Sequence, residues 1–383
     1  MSSISVNTIT DASGGATTSI NGFTPSVSNM AGRNRIINGD MRIDQRNNGA
    51  TQSIGLSDLT VIDRWRYDNS AGTAVYNLSQ STDAPDGVST SMKFECTTAQ
   101  ASPSASHRQR ILYHGVEGLD FSDLGQGTSA AKDITLSFWV KSSQTGVLGF
   151  FFQQTVTSVA SYYLQRTITI NSPNTWERKT IVIPARTTGS QIVADNNLGF
   201  RFELYLLAGS DYSSGTSVSD WSTSVSGAAL ANGQTFNAGA SVGATFYITG
   251  FQLEAGSVAT PFCPAGGGSY GAELALCQRY YWRIKQFEVV ATAAVYSSAA
   301  VYVVVNHPVT MRTDSSFSYS NLADIGLYSS ALARTVTSAT AGGYTSPDKS
   351  EILLATSGLS GGWSAWVRCQ NNAGAYMDFS AEL

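Results

Sequence analysis

The chain has 383 residues, 13% of them charged, with a formal net charge of −4; soluble domains usually carry roughly 25% charged residues. Its 42% hydrophobic and 10% aromatic content is enough for a core and excludes wholesale disorder, and the length suggests about two or three domains. With no basic tract to follow a phosphate backbone and no apolar run near the roughly 20 residues of a membrane span, neither nucleic-acid binding nor membrane insertion is expected. Ser, Thr and Gly dominate over Lys and Glu, which disfavours helices and suits strands and turns. The start, "MSSISVNTITDASGG", lacks the basic and apolar regions of a secretory signal, so synthesis in a cytosol without general secretory export is expected. Cys96, Cys263, Cys277 and Cys369 are far apart and show no C-x-x-C spacing; they are expected as small buried hydrophobes, not as disulfides or zinc ligands.

In chain order, residues 1–33 carry short alternating pieces (Ile4, Val6, Ile9) broken by Gly, Ser and Pro. The strip has too little apolar mass to fold alone and reads as a tail or a segment that pairs with another chain. From residue 34 the alternation is sustained. "MRIDQ" puts Met41 and Ile43 on one face of a strand and Arg42 and Asp44 on the other. "SMKFECT" puts Met92, Phe94 and Cys96 inward with Lys93 and Glu95 outward, and "TLSFWVKSS" does the same with Leu136, Phe138 and Val140. "TWERKTIVIPA", "FRFELYLLAG" and "ATFYITGFQLE" continue. Period-two strands split by Gly, Ser and Asn turns predict an all-β chain with an antiparallel jelly-roll sandwich over 34–264. The Pro- and Gly-rich "CPAGGGSYG" marks a boundary. It is followed by one helix over 271–281 with Leu274, Cys277 and Tyr281 on one stripe. Residues 265–383 then form a smaller β-rich domain. Its "AAVYVVVN" is apolar on both faces and must be covered on both sides, by its own domain or by a neighbouring subunit.

The few charges concentrate in "NRIINGDMRIDQRNNGA" (34–50) and "DRWR" (63–66). Asp40, Arg42, Asp44 and Arg46 can meet Asp63, Arg64 and Arg66 beside Trp65, because a planar guanidinium makes bidentate carboxylate bonds and stacks on indole. This predicts a structural charge network that pins a sheet corner or a subunit contact. Sugar binding needs exposed flat aromatics with amide and carboxylate groups. Candidate ligand-binding residues are Trp139, on the strand face opposite Phe138; Asp211, Tyr212, Asp220 and Trp221 in the 207–224 loop; and Trp363 and Trp366, read as sharing one face of a strand. Trp176, Tyr162, Tyr163 and Tyr344 are further aromatics, with ordinary packing the alternative for each. His107, His114, Glu117, Asp120 and Asp123 lack zinc spacing and offer few calcium oxygens, so no metal or cofactor is expected. No H-E-x-x-H motif and no G-x-x-x-x-G-K-[ST] phosphate loop is present. Nothing favours a glycosidase pair such as Glu254 with Asp211, and no enzyme is expected.

The blocks 34–50 and "DRWRY" (63–67), then "TLSFWVKSSQTG" (135–146), "NTWERKTIVIP" (174–184), "ITGFQLEAGSVATPF" (248–262), "YGAELALCQRYYWRI" (270–284) and a terminal "FSAEL" occur in order. Together, over residues 34–383, they resemble a family of tailed-bacteriophage tail fibre or receptor-binding virion proteins. The resemblance implies a jelly roll similar to carbohydrate-binding modules and a particle-bound, homotrimeric appendage. It also implies that the first segment joins other virion proteins. The expected function is a tail fibre that attaches the particle to host-surface glycan, assembled in the host cytoplasm and extracellular on the mature virion. A purely structural virion component (head decoration, head fibre or tail adaptor) is the alternative, and a glycan-degrading tailspike a further one. The unsupported first segment and the doubly apolar strand both call for partner chains.

Overall fold

Alternation becomes strands along most of the chain. A computed structural model describes residues 32–383 except 56–58, 158–159, 330–331, 371 and 373; the expected attachment segment 1–33 therefore lies, but for its last two residues, outside the described residues. The strands of the first domain are β1 (Gln52–Ile54), β2 (Leu59–Ile62), β3 (Trp65–Ser70), β4 (Val75–Ser81), β5 (Ser91–Thr98), β6 (Arg108–Tyr113), β7 (Val116–Glu117), β8 (Ile134–Ser142), β9 (Gly146–Thr157), β10 (Ala160–Ile170), β11 (Glu177–Ile183), β12 (Leu198–Ala208) and β13 (Thr245–Ala255). They form two antiparallel sheets, ordered β1-β4-β5-β13-β8-β11 and β10-β9-β12-β6-β3-β2, with β7 on β12. This is a jelly-roll sandwich.

Inward positions recur every second residue, so both sheets deliver aromatics to one core. Phe138 of β8 lies flat on Phe251 of β13, with centroids 4.8 Å apart. Phe251 in turn meets Phe202 of β12 and Trp65 of β3. Each of these rings is at most 1% exposed, and full burial of such a side chain contributes roughly 1.5–3 kcal/mol. The β13–β8 register shifts between Thr249 and Gln252. Gly250 sits in that bulge at φ +64, where a Cβ would press on the Trp139 indole at 3.0 Å.

The 34–50 block is not a strand. Met41 and Ile43 are buried, but the chain reaches them through left-handed residues, Asn38 at φ 58 and Met41 at φ 60. The Asn38 amide replaces the missing strand neighbour: it donates to the Ile43 carbonyl (2.8 Å) and accepts from the Ile43 amide (2.9 Å). Next to it the Gly39 carbonyl accepts from Phe251 N at 2.9 Å, so close that a Cβ at Gly39 would collide with the Phe251 oxygen. Alternation alone could not reveal a loop whose ladder partner is its own side chain.

A one-turn helix α1 (Ser210–Ser213) follows β12, and α2 (Tyr270–Gln278) opens the second domain. Ser269 caps α2 by accepting from Ala272 N. The helix ends earlier than expected. Tyr281 is not on its stripe but starts β14 (Tyr281–Lys285), because the backbone there pairs with the C-terminal strand. The remaining strands are β15 (Val289–Ser297), β16 (Ala300–Asn306), β17 (Ser316–Tyr319), β18 (Ile325–Ser329), β19 (Leu332–Arg334), β20 (Ser338–Ala341), β21 (Lys349–Ala355), β22 (Ser364–Cys369) and β23 (Tyr376–Ser380). A three-stranded sheet, β14-β23-β17, and a seven-stranded sheet, β19-β18-β22-β15-β16-β21-β20, enclose a second core that includes Ile284, Val301, Val303, Val305, Leu327 and Phe379.

Candidate functional site

The charged block and the C terminus close on each other at the junction of the two domains. Arg64, fully buried, donates to the Gly115 carbonyl at 2.6 Å, pairs with Glu382, and lies 3.4 Å over the Tyr280 ring. Arg46 sits 3.2 Å from both Asp63 and Glu382 and 3.4 Å over the Tyr281 ring. Gln45 donates to Asp63 (2.6 Å) and to the Tyr281 carbonyl (2.8 Å). Asp40 and Arg42 form a separate pair at 2.6 Å. Asp44 accepts from the amides of Asn47 and Gly49. Arg66 is half-buried on β3 and its charge acts on Asp68. The expected stacking partner is corrected: Trp65 is in the jelly-roll core, donating to the Asn38 carbonyl at 3.1 Å, and the rings beneath the guanidiniums are Tyr280 and Tyr281. Glu382, invisible to local reading, joins them across 318 positions.

Burial sets the protonation of this junction. It pushes the Asp63 carboxyl up to about 6, against the pull of Arg46. It pushes His114 down to about 4. At Glu382 burial would also raise the carboxyl, but Arg64, with His114 and Arg46, outweighs it and brings the group down to about 2. The charged groups of this junction are paired with one another.

The two jelly-roll sheets differ on their outer faces. On the β10-β9-β12 side, Phe151 and Tyr205 are buried under Ala231, with Val225 and Leu230 packed against them. The 209–244 connection therefore covers this face. Its candidate residues serve the covering. Tyr212, half-buried, has Arg108 4.9 Å over its ring, and exposed Asp211 donates its amide to the Ala105 carbonyl at 3.0 Å. Trp221 packs on the core and donates to the Pro184 carbonyl at 2.8 Å, while Asp220 stays exposed and accepts from the Trp221 amide.

The other sheet is open at one end. Register pairs Ser79 with Lys93, Lys93 with Tyr247, and Tyr247 with Lys141. Trp176, just before the Glu177–Val140 pair, extends the row beside Lys141. Cations and rings thus alternate across β5, β13, β8 and the entry to β11, a span of about 15 Å at the usual strand spacing. Lys141 Nζ is 4.7 Å from the Tyr247 centroid and 5.2 Å from that of Trp176. Asp83 accepts from Trp176 Nε1 at 3.1 Å and pairs with Lys141, and the Lys141 hydrogen bond holds its carboxyl below the ordinary value. Trp139 lies in the neighbouring row, half-buried against Gly250. Alternation placed Lys93 outward; only the register adds Tyr247 and Lys141, and only the 3D path adds Asp83.

On the second domain Trp363 and Trp366 are each 38% exposed, yet they do not share a strand face. β22 starts at Ser364, so Trp363 belongs to the preceding turn, and a spacing of three reverses sides in a strand. Trp366 stacks on Tyr328 at 4.3 Å, and Arg368 donates to the Tyr328 hydroxyl at 2.7 Å. The seven candidate ligand residues thus fall in separate places and do not form one site.

Glu117 is spent on a bidentate pair with Arg279 (2.8 and 2.7 Å) and on the Tyr280 hydroxyl. Asp123 pairs with Arg35, and His107 with Gln100. Among the described residues no three His, Cys, Asp or Glu could hold a metal ion. Glu254 is sealed under Arg33 and Thr260 on the opposite sheet from the strand that leads into Asp211.

No protein-family model matches the chain, and neither does any curated protein sequence. Among solved structures it is similar to the CBM22-2 xylan-binding domain from Paenibacillus barcinonensis (15% identity, covering 50% of this chain and 91% of that one, TM-score 0.27). It is also similar to a family 11 carbohydrate-binding module from Clostridium thermocellum in complex with a mixed-linked tetrasaccharide (13%, 55% and 99%, TM-score 0.28). A third is the enzymatically active domain of tailspike protein 4 from bacteriophage CBA120 (14%, 50% and 19%, TM-score 0.28). At TM-scores this low the likenesses assign no function, and the chain's own residues must supply one.

Proposed function

We propose that the chain is a bacteriophage virion appendage, a homotrimeric tail fibre that attaches the particle to host-surface glycan. One observation carries the binding role: the Lys93–Tyr247–Lys141–Trp176 row on the one jelly-roll face that the described residues leave open. Rings offer flat apolar area to the C–H face of a sugar, and the interleaved ammonium and carboxylate groups suit its hydroxyls. A long polymer meets three such faces on one fibre, so shallow contacts suffice through multivalency. Trimerisation is supported by the outer face of the seven-stranded sheet. Val301, Val303 and Val305 of β16 face the core, whereas Val304 is 45%, Tyr296 74% and Trp366 38% exposed. The ordered sequence blocks support the virion setting, with residues 1–33 as the segment that joins other virion proteins.

Adsorption of the purified chain to host cells, together with a glycan array, tests this. Binding is expected, weakened at least tenfold by Trp176→Ala or Tyr247→Ala. Failure of the wild-type chain to bind either would overturn attachment and leave a structural virion role. Release of oligosaccharides would instead make it a tailspike. Light scattering should give the mass of three chains; a stable monomer at micromolar concentration removes the trimer.

A further inference from the structure

A cleft opens between the two domains, away from both sheet faces. One lobe of about 280 Å³ and an adjoining lobe of about 230 Å³ share Gln45, Asn48, Arg283 and Lys285 in their walls. Each lobe is slightly small for a ligand pocket; joined along these walls they reach the usual size, roughly 300–1,000 Å³. One wall is the 43–48 loop of the charged block, and the other is α2, β14 and the turn to Glu288.

Three features make this more than a seam. First, its walls carry polar groups that the chain does not use: the side chains of Asn48, Gln278 and Lys285 line it and make no hydrogen bond to the described residues. Asp44 and Glu288 add carboxylates that accept only backbone amides. Second, the same lobe is lined by an exposed aromatic, Tyr270 at the start of α2, 59% exposed. Between the lining residues Gln286 and Glu288, Phe287 is 63% exposed and held at φ 70, a costly conformation for a bulky residue that concentrates at ligand sites. Third, the walls are preorganised. Gln45 is tied to the Tyr281 carbonyl, and Arg283 makes a bidentate pair with Asp378, both bonds 2.7 Å, while also donating to the Arg46 carbonyl. Little ordering remains to be done on binding.

The charges choose the ligand. Arg283 is neutralised by Asp378, which leaves two carboxylates, Asp44 and Glu288, against the single ammonium of Lys285, so an anion finds no unopposed partner. Amides, carboxylates and an ammonium beside a phenol ring match a neutral, hydroxyl-rich molecule. We propose that this interdomain cleft is a binding site for a short neutral saccharide, with Tyr270 as its platform and Asp44, Asn48, Gln278 and Lys285 meeting its hydroxyls. The site goes beyond the attachment surface: it uses different residues and stands whether or not the open sheet binds glycan.

Saturation-transfer NMR on the full chain with methyl glycosides of glucose, galactose, mannose and N-acetylglucosamine tests it. At least one probe should receive transfer, strongest at its ring C–H protons. Gln278→Ala and Lys285→Ala should each weaken that signal at least tenfold with an unchanged melting temperature, since both remove groups without internal hydrogen bonds. Trp176→Ala should leave it intact. No transfer from any of the four probes overturns the proposal, as does transfer that survives both cleft variants. Transfer lost in Trp176→Ala and kept in Gln278→Ala assigns binding to the open sheet and also overturns it. Host-cell adsorption measured on the same variants reads the attachment surface independently.

Discussion

On the outer face of one jelly-roll sheet, Tyr205 lies fully buried beneath the 209–244 connection and bonds to Glu203 at 3.1 Å. On the outer face of the other, Tyr247 stands half exposed with Lys141 and Lys93 as its cross-strand neighbours. Both tyrosines occupy outward positions of alternating strands. What separates them is whether a distant piece of chain returns to cover them. A covered ring contributes to folding; an uncovered one is available to a partner. The same division recurs in the second domain, where the inner face of β16 is core and its outer face is not.

The covered side is where a single substitution should do most damage. Tyr205→Ala should cost about 3–5 kcal/mol, the usual penalty for emptying an aromatic site, read by urea unfolding. A loss below about 1 kcal/mol, the scale of an ordinary surface change, would mean the connection does not pack on the sheet in solution. The junction is a second covered surface, closed by the C terminus. Glu382→Gln should cost about 3 kcal/mol, because it leaves Arg64 buried without its counter-charge, with the same measurement as check.

Acid should act next, again on the covered junction. His114 has its folded value lowered from the ordinary 6.5 to about 4, so below pH 6.5 the unfolded chain takes up a proton that the folded chain refuses. Stability should therefore fall between about pH 6.5 and 4, by on the order of 2–3 kcal/mol from this group, and His114→Asn should flatten that limb. Glu382, lowered from 4.5 to about 2, adds a further loss as pH falls through that interval. Asp63, raised from 3.8 to about 6, works oppositely: it binds its proton earlier in the folded state and offsets part of the His114 effect between these values. The smallest effect belongs to the open face. Tyr247→Ala should change stability by less than about 1 kcal/mol while weakening cell adsorption at least tenfold; a large stability loss would mean the row is structural.

Local pattern alone established that this chain is all-β, which residues of β5 and β8 point inward, and that a short helix follows the jelly-roll strands. Those features repeat within a few residues, and period-two burial or a Ser cap acts over that range. Local pattern failed where a segment's partner is unusual, as with Asn38, whose side chain stands in for a strand, and Tyr281, which the C-terminal strand draws out of the helix. Three-dimensional packing was needed to settle which sheet is covered, that Glu382 closes on Arg64, and that the 43–48 loop faces α2 across a cleft. Each depends on contacts between residues far apart in the chain, and alternation carries no information about which distant segment will arrive.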